Sequence, residues 1–296
     1  PLVSKAIGPG RTVALHIDRA FMRQGESASV EKALGALGLD LEVLDASEDF
    51  SRATTSVGVE QTLELCKTVN PEHKRKVIGD TFMRVTEAAV ARRGLKPEDV
   101  FLAQGTLRPD LIESASSLIS TNSTVIKTHH NDTQLVRELR DCGRIIEPLR
   151  DYHKDEVREL GIDLGLPPHL VWRQPFPGPG LAIRILCAHE PYATDEREAN
   201  AAALAAACCA RPHLALSPAL LPVRAVGVQG DGRSYSYLAA LSSDAPPTGR
   251  WEELLSLAQE IPGRAHAINR VVYVLGAAIG APPTKVPPPT PTRDVV

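Results

Sequence analysis

No stretch of this 296-residue chain is apolar for long enough to cross a bilayer, which removes helical membrane proteins from consideration. Positive charge is not in excess. The 33 Lys and Arg stand against 36 Asp and Glu, a formal net charge of -3, so no general field draws the chain to nucleic acid. Any anion it binds must be held by a local cluster. The five cysteines, Cys66, Cys142, Cys187, Cys208 and Cys209, are odd in number and show no C-x-x-C or other metal-ligand spacing. That disfavours a zinc centre and a disulfide framework, and fits a reducing compartment such as the cytosol. Residues 1–10 carry neither an initiating Met nor the apolar core of a signal peptide. They read as the tail of a helix followed by a turn, and the expectation is a chain that begins inside a larger protein.

What is present is ordinary globular material, 43% hydrophobic and 23% charged, enough for one large or two medium domains. Thr12–Ile17 has a buried-strand pattern, Ser27 can cap a helix through Leu37 with Val30, Ala33 and Leu34 on one face, and Leu41–Leu44 is a second strand. Strand, helix, strand at this spacing predicts a right-handed βαβ unit with a parallel sheet. Residues 46–70 lack periodicity, as a lid or a disordered insert would. Asn70-Pro71-Glu72 then opens a helix with a cap, a first-turn Pro and an acid. It should run to about Arg93, bury Ile78, Phe82, Val85 and Ala89, and stop at Gly94.

The most informative stretch is Val100–Ser114, an apolar strand that ends in Gly105, Thr106, Arg108 and Asp110 before a helix restarts. In an open α/β sheet such a corner is where ligands bind. A second corner of the same kind runs from Val125 to Asp132 and holds Lys127, His129 and His130. Two polar strand ends, side by side, suggest one site. Gly105 permits close approach of backbone, Thr106 offers a hydroxyl, and Asp110 can hold Mg²⁺ or cap the following helix. Lys127 is a natural point charge for a phosphate, whereas the paired histidines could be metal ligands, phosphate donors or buried hydrogen-bonded side chains. Lys74-Arg75-Lys76 sits in the early turns of a helix, where the dipole makes cations unfavourable unless an anion is near. The triplet is read either as a phosphate contact or as a solvated face. After these corners, residues 133–141 and 154–164 read as helices and residues 144–147 as a short strand.

Pro175-Phe176-Pro177-Gly178-Pro179-Gly180 can be neither helix nor central strand, and places a domain boundary between an α/β domain, 1–174, and an α+β domain, 175–296. In the latter, strands are expected over 181–186, 225–228, 235–240 and 271–275, with helices over 195–209 and 251–260. The Pro-rich tail from Pro282 should be extended or disordered. Gly227–Tyr237 has the composition of a Gly-rich loop but not the phosphate-loop pattern, and a hairpin turn at Gly230-Asp231-Gly232 accounts for it equally well. The residues alone thus describe a phosphate-binding α/β enzyme domain with an appended α+β domain.

These same strings resemble the glutamine-hydrolysing GMP synthase family in its animal-type form. The resemblance is carried by His16–Asp18 with Phe21–Arg23, Lys74–Phe82, Leu102–Ser116, Ile126–Asp132, Lys154–Arg158, Pro175–Arg184 and Val226–Tyr237. It implies an adenine-nucleotide α-hydrolase-like ATP pyrophosphatase domain, with residues 46–70 as its lid, followed by a smaller dimerisation and XMP-binding domain. It implies the ATP- and Mg²⁺-dependent adenylation of XMP and the displacement of AMP by ammonia from a separate glutaminase domain, in a cytosolic homodimer that binds neither nucleic acid nor membrane. Arg75 and Asp231 would bind XMP, and Lys127 the ATP phosphates. Gly105, Thr106 and Asp110 would line the nucleotide or metal site, and His16, Ile17 and Asp18 would sit near adenosine; Lys127 and Asp110 would carry the catalytic roles.

The chain also departs from the family pattern. The Ser-Gly-Gly-Val-Asp-Ser loop and the glutaminase domain are not in it, and the final XMP-binding segment is not reached, so it is expected to show little or no turnover alone. Arg19-Ala20 stands where the family has Asn-Gly, and Gln174 where it has His. The alternatives are a non-catalytic nucleotide-binding or assembly subunit of the same descent, or another adenylating pyrophosphatase. The latter would carry other strings at Lys74–Phe82 and Val226–Tyr237.

Overall fold

The computed structural model describes residues 1–39, 41–95, 99–111, 141–176, 178–229 and 232–286, with the side chains of 228, 229, 232 and 233 set aside. Lys127, His129, His130 and Asp231 lie outside these residues, as do the expected second corner and most of the expected helix over 133–141. The chain divides into two compact units, Pro1–Ile185 and Leu186–Pro289.

The first unit is mixed α/β. The short helix α1 (Leu2–Ile7) leads into β1 (Ala14–Asp18), which pairs in parallel with β2 (Leu41–Asp45) across helix α2 (Glu26–Gly35). Ser27 does not cap α2. Gly25, at φ 67°, turns the chain into the helix, and the Ser27 hydroxyl is spent on Asp18. Of the expected α2 face only Ala33 is buried.

Residues 46–70 are folded. They form the short helix α3 (Ser47–Ser51), a hairpin of β3 (Ser56–Val57) and β4 (Glu60–Gln61), and a 3-10 turn at Leu65–Lys67. Phe50 and Leu65 anchor this segment, at 0% and 1% exposure, in a core with Ile17, Phe21, Val77 and Ile78. Full burial of such side chains stabilises by about 1.5–3 kcal/mol each, which rules out a disordered insert.

Helix α4 (Pro71–Arg92) starts as expected, with Asn70 Oδ1 accepting from the backbone of Glu72 and His73. Its buried stripe takes in the expected Ile78 and Ala89, with Val85 half-buried against the core, but it is turned toward Lys74 and away from Phe82. Lys74, Val77, Ile78 and Thr81 follow the i, i+3, i+4, i+7 spacing and are buried, while Phe82 remains 38% exposed. The triplet is therefore no uniform solvated face. The Lys74 stem continues the apolar stripe, and its ammonium donates to the carbonyls of Ala182 at 3.0 Å and Ile185 at 3.2 Å.

A second parallel pair, β5 (Leu102–Ala103) and β6 (Ile145–Ile146), carries the informative corner, and residues 108–111 are helical after it. Helix α5 (Lys154–Asp163) follows. Residues 181–186 are not a strand, since Gly180–Ile183 is a 3-10 turn. At Gly180, φ is 70°, and a Cβ there would lie 2.2 Å from the Phe21 carbonyl oxygen, which instead accepts from Leu181 N at 2.8 Å. With two further carbonyls taken by Lys74, the segment has no ladder to join. These contacts place it in the first unit.

The second unit has a three-stranded sheet in the order β7 (Ser217–Gln229), β8 (Gly232–Ser242), β9 (Ile268–Tyr273), antiparallel then parallel. Helices α6 (Arg197–Cys209) and α7 (Trp251–Arg264) bury Leu204, Ala207, Leu257 and Ile261 against Leu220, Tyr237, Leu241 and Ile268. The fully buried Tyr237 keeps its hydroxyl satisfied by accepting from Thr194 N at 2.8 Å. β7 begins earlier than expected, because Ser217–Arg224 alternates weakly in sequence and is held by its register against β8.

Candidate functional site

The end of β1 assembles a polar network from two elements. Asp18 accepts from Ala20 N through Oδ1 at 3.0 Å and from the Ser27 hydroxyl through Oδ2 at 2.9 Å. Ser27 Oγ, its proton given to Asp18, is left to accept from His16 Nε2 at 3.0 Å, which places the neutral imidazole's proton on Nε2. Burial pushes the His16 pKa down, against the opposing pull of Asp18 and Glu26. Ile17, between them, points into the core at 6% exposure, so only its main chain is left for a ligand. Beyond the strand, Ala20 adopts a left-handed conformation at φ 65°.

Arginines crowd the same strand end. Arg19 is largely desolvated, which lowers its pKa, and its buried Nε has no hydrogen-bond partner among the described residues. Glu26 accepts from Arg23 N at 3.1 Å and pairs with Arg173 at 3.3 Å. The Arg23 guanidinium donates to the Gln174 carbonyl at 2.6 Å and lies 4.6 Å from the centroid of the Phe176 ring. Gln174 therefore acts through its main chain. Ser27, Glu26 and Arg173 were missed in the sequence; Ser27 reads there as a helix cap, and Arg173 stands far from its partner in the chain.

The end of β5 makes a second cluster. Thr106 is 4% exposed and donates its hydroxyl to Glu147 Oε1 at 2.7 Å, Glu147 being the first residue past β6. Asp110 Oδ2 accepts from Leu107 N at 2.9 Å, the reach-back of a capping box, so one carboxylate oxygen already serves the helix start. Gly105 is exposed beside them with open space around its Cα. Glu147, the partner that locks Thr106, is a functional candidate that only the pairing of β5 with β6 reveals.

Arg75 makes its ion pair with Glu72 at 2.5 Å, and Lys76 with Asp80 at 3.0 Å. Among the described residues Arg75 makes no hydrogen bond to either strand end. Among the described residues no group of three or more His, Cys, Asp or Glu is placed to hold a metal ion, and no helix is long and apolar enough to cross a membrane.

Two polar strand ends of parallel pairs, one with a hydroxyl locked by a carboxylate and one with arginines around a neutral histidine, form the setting in which sequence comparison is decisive. The chain is 53% identical to the glutamine-hydrolysing GMP synthase of Dictyostelium discoideum over an alignment 300 positions long that covers 92% of the chain. Its relatives along nearly the whole chain are GMP synthases. It is 42% identical over 289 residues to the GMP synthase of Streptomyces avermitilis, again across 92% of the chain. No protein-family model matches it. The chain spans 42% and 51% of the length of these two GMP synthases. At 92% coverage each match takes in parts of both compact units.

Proposed function

We propose that this chain is the synthetase portion of a GMP synthase, the part that in the whole enzyme converts XMP to GMP in guanine nucleotide synthesis at the expense of ATP, with little or no turnover by this chain alone. The observation that carries the reading is the 53% identity to a GMP synthase across 92% of the chain. On this reading residues 1–174 form an ATP pyrophosphatase domain of adenine-nucleotide α-hydrolase type with residues 46–70 as its lid. Residues 175–296 form a dimerisation and XMP-binding domain. The setting is the cytosol, and ammonia is delivered by a glutaminase domain.

The chemistry is leaving-group activation. The 2-oxygen of XMP attacks the α-phosphorus of ATP and expels pyrophosphate; ammonia then adds at C2, and AMP departs with the oxygen. The protein's part is to hold two anionic nucleotides in line and to offset charge as it develops. Lys127 would take the ATP phosphates, and Arg75 and Asp231 would hold XMP. Arg75 must exchange or share its Glu72 partner to do so. The Glu147 carboxylate fixes the Thr106 hydroxyl, and Gly105 lets a nucleotide approach the main chain. The strand end at His16–Asp18 would meet adenosine, the neutral His16 presenting Nδ1 as an acceptor. Asp110 is a hard oxygen donor of the kind Mg²⁺ takes, and Mg²⁺ needs only one or two carboxylates when phosphates supply the rest. Bound there, it would supply charge neutralisation on the phosphates.

Calorimetric titration of the chain with XMP tests the reading without requiring turnover. Saturable heat that is lost in Arg75→Ala supports it, and an empty trace with the folded chain overturns it. Pyrophosphate release with ATP, XMP, Mg²⁺ and an ammonium salt then separates a catalytic chain from a nucleotide-binding subunit.

A further inference from the structure

Asn269 stands out in the second unit for a side chain that reaches across the sheet. The parallel ladder between β8 and β9 pairs Tyr237 with Ile268 and then Leu238 with Arg270, so Asn269 is the unpaired residue of a bulge. Bulges re-aim a side chain. Here Nδ2 donates to the Ala225 carbonyl of β7 at 2.6 Å, and to the carbonyl and hydroxyl of Ser234 on β8, both at 3.2 Å. Only the donor end of the amide satisfies two carbonyls, which fixes its orientation. A Cβ on Gly227 would lie 2.6 Å from Asn269 Cβ and 2.9 Å from its Cγ, so the absence of a side chain at 227 is what admits the amide. Arg270 adds a second strap, donating from Nε to the Val226 carbonyl at 2.6 Å.

We propose that Asn269 is a positioning residue: it clamps two strand pairs of the β7–β8 hairpin, Gly227 with Ser234 and Ala225 with Ser236, and thereby positions the hairpin that meets XMP. The final step rests on the proposed function, in which Asp231 contacts XMP. A residue kept only for packing would not leave its carbonyl oxygen buried without a partner, as Asn269 Oδ1 is among the described residues. That cost is accepted to place the donor against two strands at once. The amide ties β9 to both β7 and β8 at these pairs, which should raise the local free energy of opening there.

The test uses the full chain with Asn269→Ala and Asn269→Asp, the second preserving volume while removing the donors. Amide hydrogen exchange is read over residues 225–236, and XMP affinity by calorimetry. Expected in both variants is exchange about tenfold faster in that segment, the equivalent of about one hydrogen bond, with exchange in α6 and α7 unchanged. XMP affinity should fall at least about tenfold, while ATP affinity holds. Unchanged exchange overturns the clamp whatever XMP does. Faster exchange with undiminished XMP affinity overturns the link to the substrate. If the unsubstituted chain does not bind XMP, the functional reading fails by itself and takes the link with it, while the exchange result still decides the clamp.

Discussion

The ammonium of Lys74 and the carbonyl of Ala182 are 3.0 Å apart, and both residues are 2% exposed. A lysine that looks like part of a surface triplet is thus a buried strut between α4 and the turn after the Pro-rich segment. Lys74→Met keeps the stem and removes the donors, leaving the Ala182 and Ile185 carbonyls without them. Leaving such groups unsatisfied costs about 1–3 kcal/mol. The loss should be read in urea unfolding as a lower midpoint with unchanged slope, and an unaltered midpoint would refute the strut.

Gly180 permits the same docking from the other side. An added Cβ would lie 2.2 Å from the Phe21 oxygen with φ at 70°, and the neighbour is backbone that cannot swing away. Gly180→Ala should therefore destabilise by about 3 kcal/mol or more, among the large values seen for single substitutions. Thermal unfolding checks it.

Ala20, at φ 65°, offers the reverse. A left-handed residue other than Gly costs about 1–2 kcal/mol, against an entropic cost of about 0.5–1 kcal/mol for Gly in the unfolded chain. Ala20→Gly should then stabilise by up to about 1 kcal/mol. A fall in the urea midpoint would contradict this.

His16 should make stability depend on pH. Its folded pKa lies below the ordinary 6.5, because burial disfavours the imidazolium. The unfolded chain therefore binds the proton more readily, and its contribution is complete above that value. It declines as pH falls through 6.5 and levels off below the folded pKa. His16→Gln should flatten the slope of the urea midpoint between about pH 5 and 7 relative to the unsubstituted chain, and parallel curves would sink the assignment.

Thr106→Val removes the hydroxyl given to Glu147 and leaves a carboxylate short of a donor. A hydrogen bond to a charged group is worth about 1.5–3 kcal/mol, which should appear in unfolding. On the proposed function it should also weaken ATP binding, measured by calorimetry, while XMP binding holds.

The elements that could be read ahead of the structure were those with local signals. Asn70 with Pro71 marks the start of α4 because a cap and a ring-fixed φ act within one turn, and β1 and β2 follow from short, mostly apolar segments. The corner at Gly105–Asp110 was legible for the same reason. What failed depends on partners distant in the chain: the burial of Lys74, the 3-10 turn at Gly180–Ile183 and the engagement of Ser27 by Asp18 each need a group that no local pattern names. Residues 46–70 lacked periodicity because they are short pieces held by Phe50 and Leu65, too brief for a repeat to show. Glu147 became visible only once β5 and β6 were neighbours.

The straps on residues 180–185 bear on how the chain can be cut. The Pro-rich run is the obvious place to divide it by composition. A fragment ending at 174 would strip Lys74 and the Phe21 oxygen of their partners and open the core at Ala182, whereas one ending at Ile185 keeps them. Limited proteolysis of the whole chain should accordingly spare residues 180–185, and an excised first unit should be expressed with them attached.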